Sequence, residues 1–296
     1  MSSFLDRLAA PGVILADGAT GTNYQRMGIE PGVAPEEWVF DAPDKVQSLH
    51  QEFVAAGSDL VLTCTFGGSS LRLADETLAG RASELNRRAV ELAREAVGAE
   101  TLVAGSIGPT GHLSDPLGPL TRKLAVGTFA EQASALADAG ADLLVIETFF
   151  SLDEGLWALE GIRSETDLPL VVSYSFDQGT RTMMGLTPTQ VVEAFAPLGV
   201  AAVGANCGKS LADTDAIVDE LLTAAGDLPL WVKPNAGVPR VVGEEVVYDA
   251  GPDDLARHLA AYAASGVKVV GGCCGSTPEH IAAVAATLRP HSDART

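Results

Sequence analysis

Short apolar, β-branched runs alternate along the chain with longer stretches whose apolar residues recur at helical spacing. The runs occupy 13–18 (VILADG), 59–66 (DLVLTCTF), 101–108 (TLVAGSIG), 142–148 (DLLVIET), 168–176 (LPLVVSYSF), 201–207 (AAVGANC), 228–237 (LPLWVKPNAG) and 267–275 (VKVVGGCCG). They are almost continuously apolar, as strands covered on both faces must be. Between them, KVQSLHQEFVAAG, ELNRRAVELAREAVG, FAEQASALADAG and DDLARHLAAYAASG each gather their apolar residues on one helical face and close on glycine. AGSDL, AGADL and SGVKV are one helix-to-strand joint used repeatedly. Eight such units predict an α/β fold, a (β/α)8 TIM barrel. A doubly wound sheet also alternates strand and helix, but eight evenly spaced units favour closure. No linker or shift in composition divides 1–296, so the chain reads as one domain.

Such a barrel carries function at the C-terminal ends of its strands and in the loops beyond them. Loops there usually take about 2–6 residues. Three are much longer: 19–43 after the first strand, 109–127 after the third, and 238–252 after the seventh. The last has the pattern of a small hairpin. Long loops on one face predict a covered pocket.

Acidic residues number 39 and basic ones 19, a net charge of −20. That balance argues against nucleic acid or an anionic membrane as partner. No apolar run reaches the roughly 18–20 residues that span a bilayer. The start, MSSFLDRLAAPGVILADG, has neither a basic opening nor a cleavage-like site, so it reads as no signal peptide and a cytoplasmic protein. Self-association into a homo-oligomer stays open.

Four cysteines, two of them adjacent, do not form a secreted disulfide framework; metal binding or thiol chemistry fits them better. Cys207 ends the sixth strand, and Cys273 and Cys274 end the eighth. All three reach one barrel mouth, in loops one strand apart. Three thiolates with a fourth position left open are what a catalytic zinc site needs, and the glycines around Cys273 and Cys274 let consecutive side chains turn to one point. Cys64, near the end of the second strand, lies across the barrel from the sixth and reads as core or pocket wall. The histidines show no ligand spacing; His280, on the last helix, reads as solvated or packed.

The sequence resembles the zinc-dependent homocysteine S-methyltransferases. The resemblance runs almost the whole length, through DGATGT (17–22), TFGG (65–68), GSIGPTG (105–111), IET (146–148), GANCG (204–208), KPNAG (233–237) and GGCCGSTPEHI (271–281). The NCG…GGCCG pair is its most specific part. APEEW, RTMMG and VVYDAG look most like the short bacterial betaine–homocysteine type. Cys64 departs from many relatives, which places the shape of the pocket wall there in question. The resemblance implies that Cys207, Cys273 and Cys274 ligate Zn2+ and that Asp17 and Glu147 hold the homocysteine amine. A zwitterionic amino acid does need carboxylates for its ammonium, and the backbone N–H groups around Gly18 suit its carboxylate. Asn235 ends the seventh strand between the cysteine-bearing strands, where it either touches metal or substrate or only forms the turn.

Zinc deprotonates a coordinating thiol, so a methyl group can pass in line to homocysteine sulfur without a separate base, forming methionine. A transferable methyl sits on a cationic nitrogen or sulfur, or on corrinoid cobalt. Cationic donors favour aromatic faces. Trp157 falls in a helical stretch and Trp231 inside a strand, which leaves Trp38, with Phe66 as partner, to favour betaine; the competing role for Trp38 is to anchor its loop. The same residues also admit the homocysteine-binding component of a corrinoid-dependent methionine synthase, or an S-methylmethionine-dependent enzyme. More remote are a non-catalytic zinc or amino-acid binding barrel and a redox protein using Cys273 and Cys274.

Overall fold

The computed structural model describes residues 2–74, 77–243 and 245–289 of the 296. Its strands, in chain order, are β1 (Ile14–Leu15), β2 (Leu60–Leu62), β3 (Leu102–Ile107), β4 (Leu143–Phe149), β5 (Leu170–Tyr174), β6 (Ala202–Cys207), β7 (Leu230–Pro234), β8 (Pro239–Val242), β9 (Glu245–Tyr248) and β10 (Val269–Val270). Eight form one parallel sheet in the order β1-β10-β7-β6-β5-β4-β3-β2. A bridge between Ala16 and Leu60 joins its two edges, with Asp17 N–H donating to Leu60 O at 3.0 Å and Asp59 N–H to Leu15 O at 2.7 Å. This is the TIM barrel the alternating pattern predicts. β8 and β9 pair antiparallel as the expected hairpin beyond β7.

The helical stretches fall where the spacing places them, at Pro43–Ala55, Ala82–Val97, Arg122–Asp138 and Pro252–Ala264. Two loops carry more helix than expected. The segment 19–43 contains short helices at Gly21–Arg26 and Trp38–Asp41, separated by Gly28 and Gly32 at φ of 94° and 90°. In 109–127, Thr121 caps the next helix by accepting from Leu124 N–H, so the loop ends there. Among the described residues no helix is long and apolar enough to cross a membrane.

Two apolar cores result. One lies between sheet and helices and includes Phe53, Leu85, Phe129, Tyr174 and Phe195. The other fills the barrel: Ile14, Leu60, Leu102, Ala104, Leu143, Val145, Val171, Ala202, Trp231 and Val269, with Phe4 of the N-terminal helix Phe4–Ala9 packed among them. Alternate residues of a strand point the same way. The next position with the same parity is therefore also inward, and there the residue type changes: Ser106, Glu147, Ser173 and Lys233, all buried, follow Ala104, Val145, Val171 and Trp231. The apolar barrel ends in a polar layer.

Candidate metal centre

β6 ends on Cys207, and the segment after β10 carries Cys273 and Cys274; β7 lies between these strands. The sulfurs of Cys207 and Cys273 are 3.1 Å apart, and the three sulfurs lie within 4.8 Å of one another. Among the described residues this is the one group of three or more potential ligand side chains so gathered. The predicted last strand, 267–275, stops at Val270 because the chain must turn both cysteines inward. That turn is fixed on its neighbours by Gly272 N–H to Asp17 O at 3.0 Å, Cys273 N–H to Pro234 O at 2.8 Å, and Ala236 N–H to Cys274 O at 2.9 Å. Gly275 adopts φ 82°, and a Cβ there would collide with the ring of Tyr248, which reaches the turn from the hairpin. Burial, with the cysteines beside it, pushes the Tyr248 hydroxyl well above its usual range.

Cys207 and Thr148 are non-glycine residues in left-handed backbone, at φ 60° and 63°. Such strain survives only when the surroundings hold it, and it gathers at functional sites. Here the holder is the Asn206 side chain. Its Oδ1 accepts from Thr148 N–H at 2.9 Å and from Ser173 Oγ at 2.7 Å; its Nδ2 donates to Thr148 Oγ1 at 2.7 Å.

The protonation of the thiols shows what the cluster lacks by itself. Hydrogen bonds from Cys207 and Cys273 hold the Cys274 thiol far below its usual range. The bonds that Cys207 makes to Cys273 and Cys274 push its own thiol well up. Left alone, the cluster favours a single negative charge; a divalent cation would let all three thiols ionise. Three cysteine sulfurs are one ligand short of a closed tetrahedral site. Asn235 stands beside them, with its N–H donating to Cys207 O at 3.0 Å and its Nδ2 to Gly208 O at 2.7 Å, while its Oδ1 is buried without a partner. The donor chemistry and this idle oxygen fit a zinc ion.

Below the sulfurs lie the two carboxylates, in unlike settings. Glu147 accepts from Ser106 Oγ at 2.5 Å. Burial pushes its carboxyl up to about 7; Lys233 pulls it down and Cys273 pushes it further up. Asp17 forms an ion pair with Lys233 Nζ at 2.5 Å and accepts Leu62 N–H on its other oxygen at 2.8 Å. Both Asp17 oxygens are thus taken by the protein, and its exposure is 1 % against 8 % for Glu147. Gly18 packs so closely that a Cβ would lie 2.7 Å from the Phe53 ring and 2.9 Å from Ser276 Oγ. In this turn the N–H groups of Asp17 and Ala19 are committed to Leu60 and Ser276.

The aromatic pair is placed differently from the donor-face reading. Trp38 is buried in the outer core; its ring lies 5.0 Å from that of Tyr24, and Lys45 Nζ sits 4.3 Å from its centroid. Phe66 packs against Gly108 and has the Arg72 guanidinium 6.0 Å from its centroid. Each ring already faces a cation of the chain itself, and Trp38 has the setting of a loop anchor. Cys64 is buried in the same core with its thiol 3.4 Å from Pro35 O, outside the sulfur cluster. His280 Nδ1 accepts from Thr277 N–H at 3.2 Å and its Nε2 donates to Ala250 O at 3.1 Å, a packed cap. Sequence reasoning passed over Asn206, Lys233, Ser106 and Ser173. For Ser106, Ser173 and Lys233 the signal was a polar residue at an inward strand position, two residues past an apolar one; Asn206 follows Gly204 instead.

Barrel, sulfur cluster and buried carboxylate together define a candidate thiol-ligand metal centre at the mouth of a (β/α)8 scaffold. The family model for homocysteine S-methyltransferases matches residues 14–288, and the chain belongs to that family. It is 31 % identical over 299 residues to a methionine synthase of Mycobacterium leprae; the alignment covers 95 % of this chain but about a quarter of that protein's length. Among solved structures, the metallated form of the homocysteine methyltransferase MmuM from Escherichia coli superposes with a TM-score of 0.80 at 26 % identity, covering 94 % of this chain and 97 % of the other. The apo form of the same enzyme gives 0.75. A methyltransferase from Methanosarcina mazei, 12 % identical with a TM-score of 0.63, shares the fold.

Proposed function

We propose that the protein is a zinc-dependent homocysteine S-methyltransferase that forms methionine from homocysteine and a small cationic methyl donor. The convergence of the Cys207, Cys273 and Cys274 sulfurs within 4.8 Å carries this reading. Cys207, Cys273 and Cys274 hold the metal, and the Asn235 amide oxygen is an idle acceptor beside the site. Bound zinc would lower the pKa of the homocysteine thiol so that its sulfur is thiolate near neutral pH. Glu147 receives the substrate ammonium, which restores its charge. Asp17 contributes by fixing Lys233, since its oxygens are already bonded. The sulfur lone pair attacks the methyl carbon, the S–C bond forms, the donor's C–N or C–S bond breaks, and the thiol proton has gone to solvent.

The donor class follows from charge. Three thiolates around Zn2+ carry a net −1 and the homocysteine thiolate would add another, while Glu147 is balanced by the substrate ammonium, so the mouth favours an onium compound over an anion. The case for betaine in particular rests on Trp38; with Lys45 over that ring, the class stands without it and includes sulfonium donors. The likeness to a methionine synthase favours a second reading, in which methyl arrives on a corrinoid held by another protein or domain. The test incubates zinc-loaded protein and homocysteine with betaine, S-methylmethionine or methylcobalamin and measures methionine. Turnover with an onium donor supports the proposal, turnover with methylcobalamin alone supports the second reading, and none with any donor contradicts both.

A further inference from the structure

Any site that holds three ligand thiolates next to a methyl donor faces a problem of selectivity. The ligands are nucleophiles too, and methylation of one converts it to a thioether and ruins the site. Two of the three cysteine sulfurs share a buried hydrogen-bond donor. The orientation of the Asn206 amide is fixed, because Thr148 N–H can only donate and therefore requires the oxygen end. The nitrogen end is left facing Cys207 Sγ at 3.5 Å and Cys273 Sγ at 3.8 Å. One of its hydrogens goes to Thr148 Oγ1 and the other is available to the two sulfurs. Asn206 is 2 % exposed, so water does not compete for these bonds. The third cysteine, Cys274, is not among the partners of Asn206.

We infer that Asn206 directs methyl transfer to the substrate, by hydrogen bonds that make Cys207 and Cys273 poorer nucleophiles than the homocysteine sulfur. A hydrogen bond to a charged acceptor is strong, and it is given up as the thiolate becomes a neutral thioether, so it raises the barrier to that reaction. Asn206 is thus a positioning residue, its side-chain bonds all made within the chain. It acts through the ligands, as outer partners of metal sites do. The inference rests on the zinc reading above.

The test uses zinc-loaded protein without homocysteine and trideuteromethyl iodide, followed by mass mapping of the cysteines. A thiolate attacks the methyl carbon, the S–C bond forms, the C–I bond breaks and iodide leaves. Asn206→Asp keeps an oxygen for Thr148 N–H and Ser173 but removes the N–H donors; Asn206→Ala removes the whole amide. Labelling of Cys207 and Cys273 should rise roughly tenfold in both variants, with Cys274 changing less. Zinc affinity, read by chelator competition, should fall about 10–100-fold. Should the alanine variant not fold, the aspartate variant, nearly isosteric, carries the test. Wild-type labelling rates at Cys207 and Cys273 in folded, zinc-replete Asn206→Asp would overturn the inference alone. Wild-type protein that binds no zinc would overturn the zinc reading, and this inference with it.

Discussion

The two ends of the barrel interior are built on the same strands and do opposite work. At the lower end Ala104, Val145, Val171 and Trp231 fill space together with Phe4. Two residues further along the same strands stand Ser106, Glu147, Ser173 and Lys233. The side chains change from apolar to polar between the layers, and the backbone departs from regular strand just beyond the upper one, at Thr148 and Cys207. Burying a polar group is costly unless it is bonded. The upper layer meets this by pairing Ser106 with Glu147, Ser173 with Asn206 and Lys233 with Asp17. Variants of the lower layer should therefore change stability and spare chemistry. Variants of the upper layer should do the reverse, except where they leave a charge alone.

The largest effects sharpen that contrast. Cys207→Ala, Cys273→Ala or Cys274→Ala should abolish stoichiometric zinc binding and reduce methyl transfer by about a thousandfold or more, as expected when the activating ion is lost. The thermal midpoint of the apoprotein should barely move, because the sulfurs lie at the mouth. Trp231→Ala or Phe4→Ala should cost roughly 3–5 kcal/mol in denaturant unfolding while the surviving folded protein keeps its zinc. Equal losses of stability from both sets would break the comparison.

Lys233 is where the layers meet, a buried cation directly beyond Trp231. Lys233→Met leaves Asp17 charged and alone, at a cost of about 3–5 kcal/mol. The double variant Asp17→Asn/Lys233→Met removes both charges and should recover most of that loss. Chemical denaturation of the three proteins checks this.

The fold was legible in the pattern of apolar runs because each run needed only to be buried on two faces, which composition records directly. All eight barrel strands were legible, and so was the hairpin at 239–248. Strand ends were not: β1, β2 and β10 are shorter than their apolar runs, and the chain beyond them turns Asp17, Cys64 and Cys273 to tertiary partners. The sulfur cluster was legible because cysteine is scarce here and strand ends share one face. The pairing of Asp17 with Lys233 was not, since residues 216 apart in sequence meet only on closure of the barrel. Nor was the setting of Trp38, whose exposure depends on how Tyr24 and Lys45 fold back onto it.

Two pH effects follow. His50 is buried on the helix Pro43–Ala55, its Nε2 has no partner, and burial lowers its pKa to about 4. Between that value and the unfolded pKa of about 6.5 only the unfolded chain takes the proton, so stability falls as pH falls through this window, by up to roughly 3 kcal/mol. His50→Gln should flatten that slope in urea titrations at pH 7 and pH 5. Glu147 works on binding. Its carboxylate is the form that holds an ammonium, so homocysteine affinity should weaken as pH falls below about 7. Glu147→Gln should remove this dependence and cost roughly 1.5–3 kcal/mol of homocysteine binding by calorimetry, with zinc content unchanged.

The most direct measurement is zinc X-ray absorption on the purified protein, before and after homocysteine is added. The account predicts one zinc per chain with three sulfur neighbours near about 2.3 Å, rising to four when homocysteine binds. A protein free of zinc, or a sulfur count that does not change on adding homocysteine, would contradict it.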